Sequence, residues 1–226
     1  MRRREFTQAS LAVAALGTAL SAEASLLSET DAASGVRAAL ERGAASAVAL
    51  LGKNGGFLDN PKVRIELPGS LKDAAKLLQA VGQGKRVDEL VTAMNRAAEA
   101  AVPEAKALLV AAVKSMSVED AVKIVQGGDT SVTDFFSAKT REPLGAKFMP
   151  IVERATARVA LAKKYDAVAG KAAGLGLVKK EDANLNAYVS GKALDGLYFM
   201  IGEAEKKIRR DPVATGSVIL KKVFGG

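Results

Sequence analysis

Cysteine, histidine and tryptophan are all absent from this chain of 226 residues. Without the first two it can form no disulfide, no thiolate nucleophile, no cysteine–histidine zinc site and no histidine-ligated haem. Acid–base catalysis by histidine is excluded as well. Any chemistry must come from carboxylates, lysine, arginine, tyrosine or hydroxyls. The lack of cysteine is compatible with an oxidising compartment, where disulfides are permitted but not required. Aromatic residues make up only 4%, which disfavours a β-sandwich, whose strands want aromatic and β-branched side chains. Abundant alanine and glycine favour closely packed helices around a core of small aliphatic groups.

With 49% apolar and 26% charged residues, the composition is that of a folded chain and not a disordered one. Its length suffices to bury a core without covalent staples. The formal charge is +8; the first 24 residues carry three arginines and two glutamates, so +7 lies beyond them. Those charges are spread along the chain, as on a solvated basic surface, although anionic lipid or nucleic acid is a candidate partner for such a surface.

The N-terminus has the layout of a secretory signal. Arg2-Arg3-Arg4-Glu5-Phe6 is followed by an apolar run over residues 9–20, and Ala22-Glu23-Ala24 offers small residues for cleavage before Ser25. That run is too short to span a bilayer, which needs about 20 residues. Arg3, Arg4 and Phe6 match a twin-arginine signal, while Arg2 and Thr7-Gln8 depart from it and leave the general secretory route open. No cysteine follows the run, so it is not a lipoprotein signal. The expectation is a periplasmic protein that meets the translocation machinery and signal peptidase in transit, with residues 1–24 as signal and 25–226 as one domain.

Beyond Asp31 the apolar spacing is helical. Val36, Leu40, Ala44, Val48 and Leu51 share a face of a helix that Gly55-Gly56 should end. Ser70 should cap a second helix with Leu71, Ala74, Leu78 and Val81 on one side, stopped by Gly82. Val87, Leu90, Val91, Met94, Ala98 and Ala101 mark a third, and Pro103 opens a fourth running toward Met116. Ser117-Val118-Glu119-Asp120 has capping-box spacing for a short helix ending at Gly127-Gly128, and Ser131 to Asp134 repeats the device. The helical region that follows should be broken or kinked at Pro143 and Pro150. A helix over residues 165–173 should end at Gly174-Leu175-Gly176. Leu185, Tyr188, Val189, Leu194, Leu197, Ile201, Ala204 and Ile208 line the strongest helical face, and Asp211-Pro212 should start a last helix. Asn60 to Pro68 alternates apolar and polar residues between prolines and reads as a short extended strand or strap across the helices. The fold expectation is therefore all-α: a single multi-helix domain with one short extended strap, preceded by a cleavable signal peptide.

Several segments together resemble one exported bacterial family. They are Gly56-Phe57-Leu58-Asp59-Asn60-Pro61-Lys62-Val63-Arg64-Ile65, Met94-Asn95-Arg96-Ala97-Ala98-Glu99 with Pro103, and Phe148-Met149-Pro150-Ile151-Val152. Lys192-Ala193-Leu194-Asp195-Gly196-Leu197 and Lys221-Lys222-Val223-Phe224-Gly225 complete the likeness to the family catalogued as domain of unknown function 4197. Pro143 departs from it, since a helix-compatible residue is expected there. The resemblance implies a helical envelope protein and brings no activity, cofactor or catalytic residue.

The binding candidates are Lys62, Arg64, Asn95, Arg96, Glu99, Lys192 and Asp195. Lys62 and Arg64 fall on one side of the strap, opposite Val63 and Ile65, and could grip an anion or tie the strap to helix carboxylates such as Glu99. Asn95 and Glu99 are one turn apart and flanked by Arg96, lining a cleft or anchoring the strap. Lys192, Asp195 and Phe199 form an outer stripe, and Gly196 invites a close neighbour. The charged run Glu203, Glu205, Lys206, Lys207, Arg209, Arg210 reads as a solvated face. Gly82-Gln83-Gly84-Lys85 is too short for a P-loop. No metal or cofactor is implied. The preferred reading is a non-catalytic binder of an apolar or anionic small ligand or of an envelope protein. The alternatives are a carboxylate-based hydrolase or lyase, with Glu99 or Asp195 as base and Arg64 or Arg96 holding an anion, and a basic binder of anionic lipid or nucleic acid.

Overall fold

A computed structural model describes residues 17–80, 82, 84–157 and 184–211, with side chains from Ala33 onward except for parts of the second helix. Seven α-helices make up the described chain: α1 (Gly17–Leu51), α2 (Gly69–Ala80), α3 (Gly84–Ala101), α4 (Ala105–Lys114), α5 (Val118–Gln126), α6 (Ser131–Thr156) and α7 (Leu185–Arg210). A 3-10 turn, Val102–Glu104, joins α3 to α4 and contains Pro103. The class is all-α, and the segment between α1 and α2 is a non-helical strap with no strand partner. Turns occupy residues 54–59 and 61–63, so of the extended stretch expected over residues 60–68 only 64–68 is free of turns. The expected helices at 165–173 and after Pro212, and the stripe of Leu71, Ala74, Leu78 and Val81, lie outside the described residues.

The apolar stripes meet in one core. Val36, Leu40, Ala44, Val48 and Leu51 of α1 are buried with Val87, Leu90, Met94 and Ala98 of α3 and with Leu185, Val189, Leu194, Leu197 and Ile201 of α7. Helix α1 packs on α4, α5 and α7, and α6 on α3, α4, α5 and α7. The reach of α6 follows from its sequence. Val132, Phe136, Thr140, Leu144, Phe148, Val152 and Thr156 are all buried at a strict four-residue interval. Since an α-helix turns 3.6 residues per revolution, a four-residue row drifts by roughly 40° per step and winds around the helix. That winding lets successive turns of α6 meet different neighbours.

The structure corrects four local expectations. Pro143 and Pro150 lie within α6 and do not end it. Both are exposed, so the carbonyls they leave unpaired face solvent while the buried row holds the helix together. Helix α1 ends at Leu51, ahead of Gly55-Gly56; Gly55 instead takes a left-handed turn at φ 81° inside the strap. Helix α2 begins at Gly69, so Ser70 is already inside it. The box at Ser117 and Asp120 forms in both directions, but the one at Ser131 does not. Thr130 is the N-cap of α6 and makes no side-chain cap bond. The Val132 amide is satisfied from across the fold, donating to Glu205 at 3.2 Å.

Gly196 is where α7 and the strap touch. A β-carbon there would lie 2.7 Å from Phe57 Cε1 and 3.3 Å from Val63 Cβ. Gly196→Ala should therefore lower stability by about 1–3 kcal/mol through overpacking. Gly191→Ala, on the same helix with nothing within 4 Å of the added carbon, should be neutral or stabilising by up to about 1 kcal/mol. Urea unfolding of the two variants checks the contrast; equal shifts would refute the close approach.

Candidate functional site: the strap and the outer face of α7

A buried strap without a neighbouring strand needs other partners for its peptide groups. Two side chains of α3 supply them. Asn95, fully buried, accepts from the Ile65 amide at 2.8 Å and donates to the Ile65 carbonyl at 2.9 Å. Its second amide hydrogen goes to the Val91 carbonyl at 2.8 Å. One turn on, Glu99 Oε1 accepts from the amides of Phe57 at 3.0 Å and Leu58 at 3.1 Å. Its other oxygen receives the Arg96 guanidinium at 2.6 Å. Burial of the Glu99 carboxyl opposes its ionisation, but the bonds from Arg96, Leu58 and Phe57 outweigh that and hold it below the ordinary carboxylate value. Asn95 and Glu99 thus anchor the strap, and Arg96 braces Glu99.

One reading of the strap ties Lys62 and Arg64 to helix carboxylates such as Glu99; neither pairs with Glu99, but Lys62 does tie the strap to a helix carboxylate, Glu203. Val63 and Ile65, which alternate with them, are buried, and both cations point outward. Lys62 donates to Glu203 of α7 at 2.9 Å. Arg64 donates to Glu66 at 3.0 Å and to the Leu58 carbonyl at 2.7 Å. Tyr188 of α7 closes the seam, its hydroxyl donating to the Glu66 carbonyl at 3.0 Å.

Along the exposed side of α7, Asp195 is shared by two cations, Arg141 of α6 at 2.6 Å and Lys192 at 3.5 Å. Each cation also lies over a ring: Arg141 is 5.8 Å from the Tyr198 centroid and Lys192 is 5.9 Å from that of Tyr188. Thr140 donates to the Phe136 carbonyl and bonds the Tyr198 hydroxyl at 2.9 Å, fixing that ring. One turn beyond Asp195 is Phe199, 41% exposed. A further turn on, Glu203 is shared by Lys62 and Lys206. The hydrogen bond from Lys62 is the main reason its carboxyl lies below the ordinary value.

The chain matches, over residues 26–225, the model of a family described as protein of unknown function (DUF4197). The chain belongs to this family. No curated protein and no solved structure matches it. The family description carries no activity.

Arg141, Tyr188 and Glu203 were not among the binding candidates, because nothing local in sequence ties them to the strap. The charged run on α7 is also not wholly solvated. Glu205 is 6% exposed and pairs with Arg209 at 2.7 Å. Arg209 in turn donates to the Ile124 carbonyl at 2.6 Å. The signal was present: Ile201, Glu205 and Ile208 follow one helical face. They border an apolar recess between α1, α5, α6 and α7 with about 20 Å³ of free space, room for a single water molecule. Among the described residues no three acidic side chains converge.

Two predictions follow from the clamp. Asn95→Ala should cost about 2–4 kcal/mol, since it strands both peptide groups of Ile65 in the core; chemical denaturation measures the loss, and the Ile65 amide should lose hydrogen-exchange protection first. The second concerns pH. Because the folded Glu99 pKa is depressed from 4.5, its contribution is present above that value and is lost as pH falls through the folded pKa. Glu205, pushed up chiefly by burial, acts in the opposite sense, gaining stability as it protonates. Comparing Glu99→Gln with the parent isolates the first group: the stability gap should shrink as pH falls below 4.5, and a constant gap would refute the assignment.

Proposed function

We propose that this is an exported periplasmic protein without catalytic activity, which docks on another component of the cell envelope through the outer face of the strap and α7. The observation that carries this reading is the state of Glu99. A general base needs a free lone pair and a pKa poised near the working pH. Glu99 has its oxygens occupied by Phe57, Leu58 and Arg96 and is held below the ordinary carboxylate value. Asp195 is likewise bridged by Arg141 and Lys192. The recess beside Glu205 is too small to seat an apolar ligand. The polar and aromatic groups left facing outward are those of a contact surface.

Export is supported by the Arg3-Arg4-Glu5-Phe6 head and the Ala22-Glu23-Ala24 site. The family match starts at residue 26, just past the proposed cleavage. No helix among the described residues is long and apolar enough to cross a membrane. Removing residues 17–24 takes about two turns from α1 and leaves every buried position from Ala33 onward in place.

Replacing Arg3 and Arg4 together by lysine should leave an unprocessed precursor in the cytoplasm. A mature-sized product in the periplasm of that strain would show that the general secretory route is used instead. For docking, a photo-crosslinking amino acid at Phe199 should capture an envelope component in living cells, whereas the same probe at exposed Lys147 of α6 should not. Silence at both positions removes the docking proposal.

A further inference from the structure

A single exposed phenylalanine is ordinary on a protein surface; the position of Phe199 is not. It sits on α7 midway between two ion clusters, each one helical turn away. Toward the N-terminus, Arg141 and Lys192 share Asp195; toward the C-terminus, Lys62 and Lys206 share Glu203. Each cluster has one cation more than it has carboxylates, so the exposed ring is flanked on both sides by net positive charge. The clusters draw on the strap, α6 and α7, and their cations are placed by tertiary contacts: Arg141 over Tyr198, Lys192 over Tyr188, Lys62 on Glu203. The carboxylates set the spacing of the cations without cancelling them.

An aromatic side chain between basic groups fits a boundary that is anionic outside and apolar beneath. That describes the headgroup region of a bilayer rich in acidic phospholipid, where rings insert at the acyl boundary and lysine and arginine meet phosphates. A nucleic-acid duplex would engage the cations and offers no apolar phase to the ring. Resting on the docking reading above, we propose that the α7 face is a peripheral membrane-binding surface for anionic phospholipid, with Phe199 as the inserting residue and Lys192, Arg141, Lys62 and Lys206 as the phosphate-facing cations.

The test is co-sedimentation of the protein, purified from its own bacterium, with two kinds of vesicle: phosphatidylglycerol mixed with phosphatidylethanolamine, and pure phosphatidylcholine. The protein should bind the anionic vesicles, release in high salt, and leave phosphatidylcholine largely unbound. Lys192→Gln should weaken binding about fivefold, the usual effect of one basic residue near an anionic surface. Phe199→Ser should weaken it by about tenfold or more, with the melting curve and circular dichroism unchanged because the ring is exposed. Equal binding to both vesicle types, no binding, or unaltered binding of Phe199→Ser overturns the proposal. If the vesicles fail while the probe at Phe199 captures a protein, the lipid assignment falls and docking stands. If both fail, both fall.

Discussion

Hydrogen-bond satisfaction of the strap is the constraint around which this fold is arranged. A non-helical segment pressed onto a helical core carries peptide groups that neither water nor a strand can reach, and each one left unpaired costs on the order of 1–3 kcal/mol. Asn95 solves this at Ile65 by acting as a one-residue substitute for a neighbouring strand, accepting from the N–H and donating to the carbonyl of the same residue. Glu99 accepts from two successive amides, using charge to strengthen bonds that Arg96 helps hold in place. With the backbone secured there, Phe57 can enter the core against Gly196, and Lys62 and Arg64 are left on the outside. The outer surface is thus a consequence of the inner clamp.

The same logic operates at the other end of α7. The N-terminus of α6 has no side-chain cap of its own, and its Val132 amide is met by Glu205. Arg209, one turn further, binds the Ile124 and Val125 carbonyls at the end of α5. A carboxylate near a helix start and a guanidinium at a helix end each complement the local dipole. The pair also shields one another's charge in a buried setting, where either alone would be costly. Helix α7 therefore does two jobs with two faces: its buried side fastens the strap and the α5–α6 corner, and its exposed side carries the alternating cations, carboxylates and Phe199.

Much of the architecture was legible in the residues. The stripes of α1, α3 and α7, the box at Ser117 and Asp120, and the strap with its alternating Val63 and Ile65 all follow from local periodicity and local hydrogen bonding. The continuity of α6 was not, because proline chemistry argues for a break unless the far side of the helix is known to be buried every fourth residue. The failed box at Ser131 has a local cause: the amides it would need are taken by backbone, that of Ser131 donating to the Gly128 carbonyl and that of Asp134 to the Thr130 carbonyl, while the Ser131 hydroxyl turns to Gly128 as well. Nor could the pairing of Lys62 with Glu203, separated by 141 positions, be read from either segment.

What the sequence determined by itself was therefore class and exclusion: helices built from alanine and leucine, one non-helical strap, and no cysteine or histidine chemistry. These depend on composition and on contacts a few residues apart. Only the tertiary structure decided which polar residues were consumed and which remained available. Asn95, Arg96 and Glu99 looked as promising on paper as Lys192 and Asp195. Asn95 and Glu99 turned inward because the strap's amides needed acceptors, Arg96 followed as the partner of Glu99, and the latter two stayed on the surface beside Arg141 because α6 and α7 pack with their cores facing. That partition depends on which elements become neighbours, and a one-dimensional pattern does not hold that information.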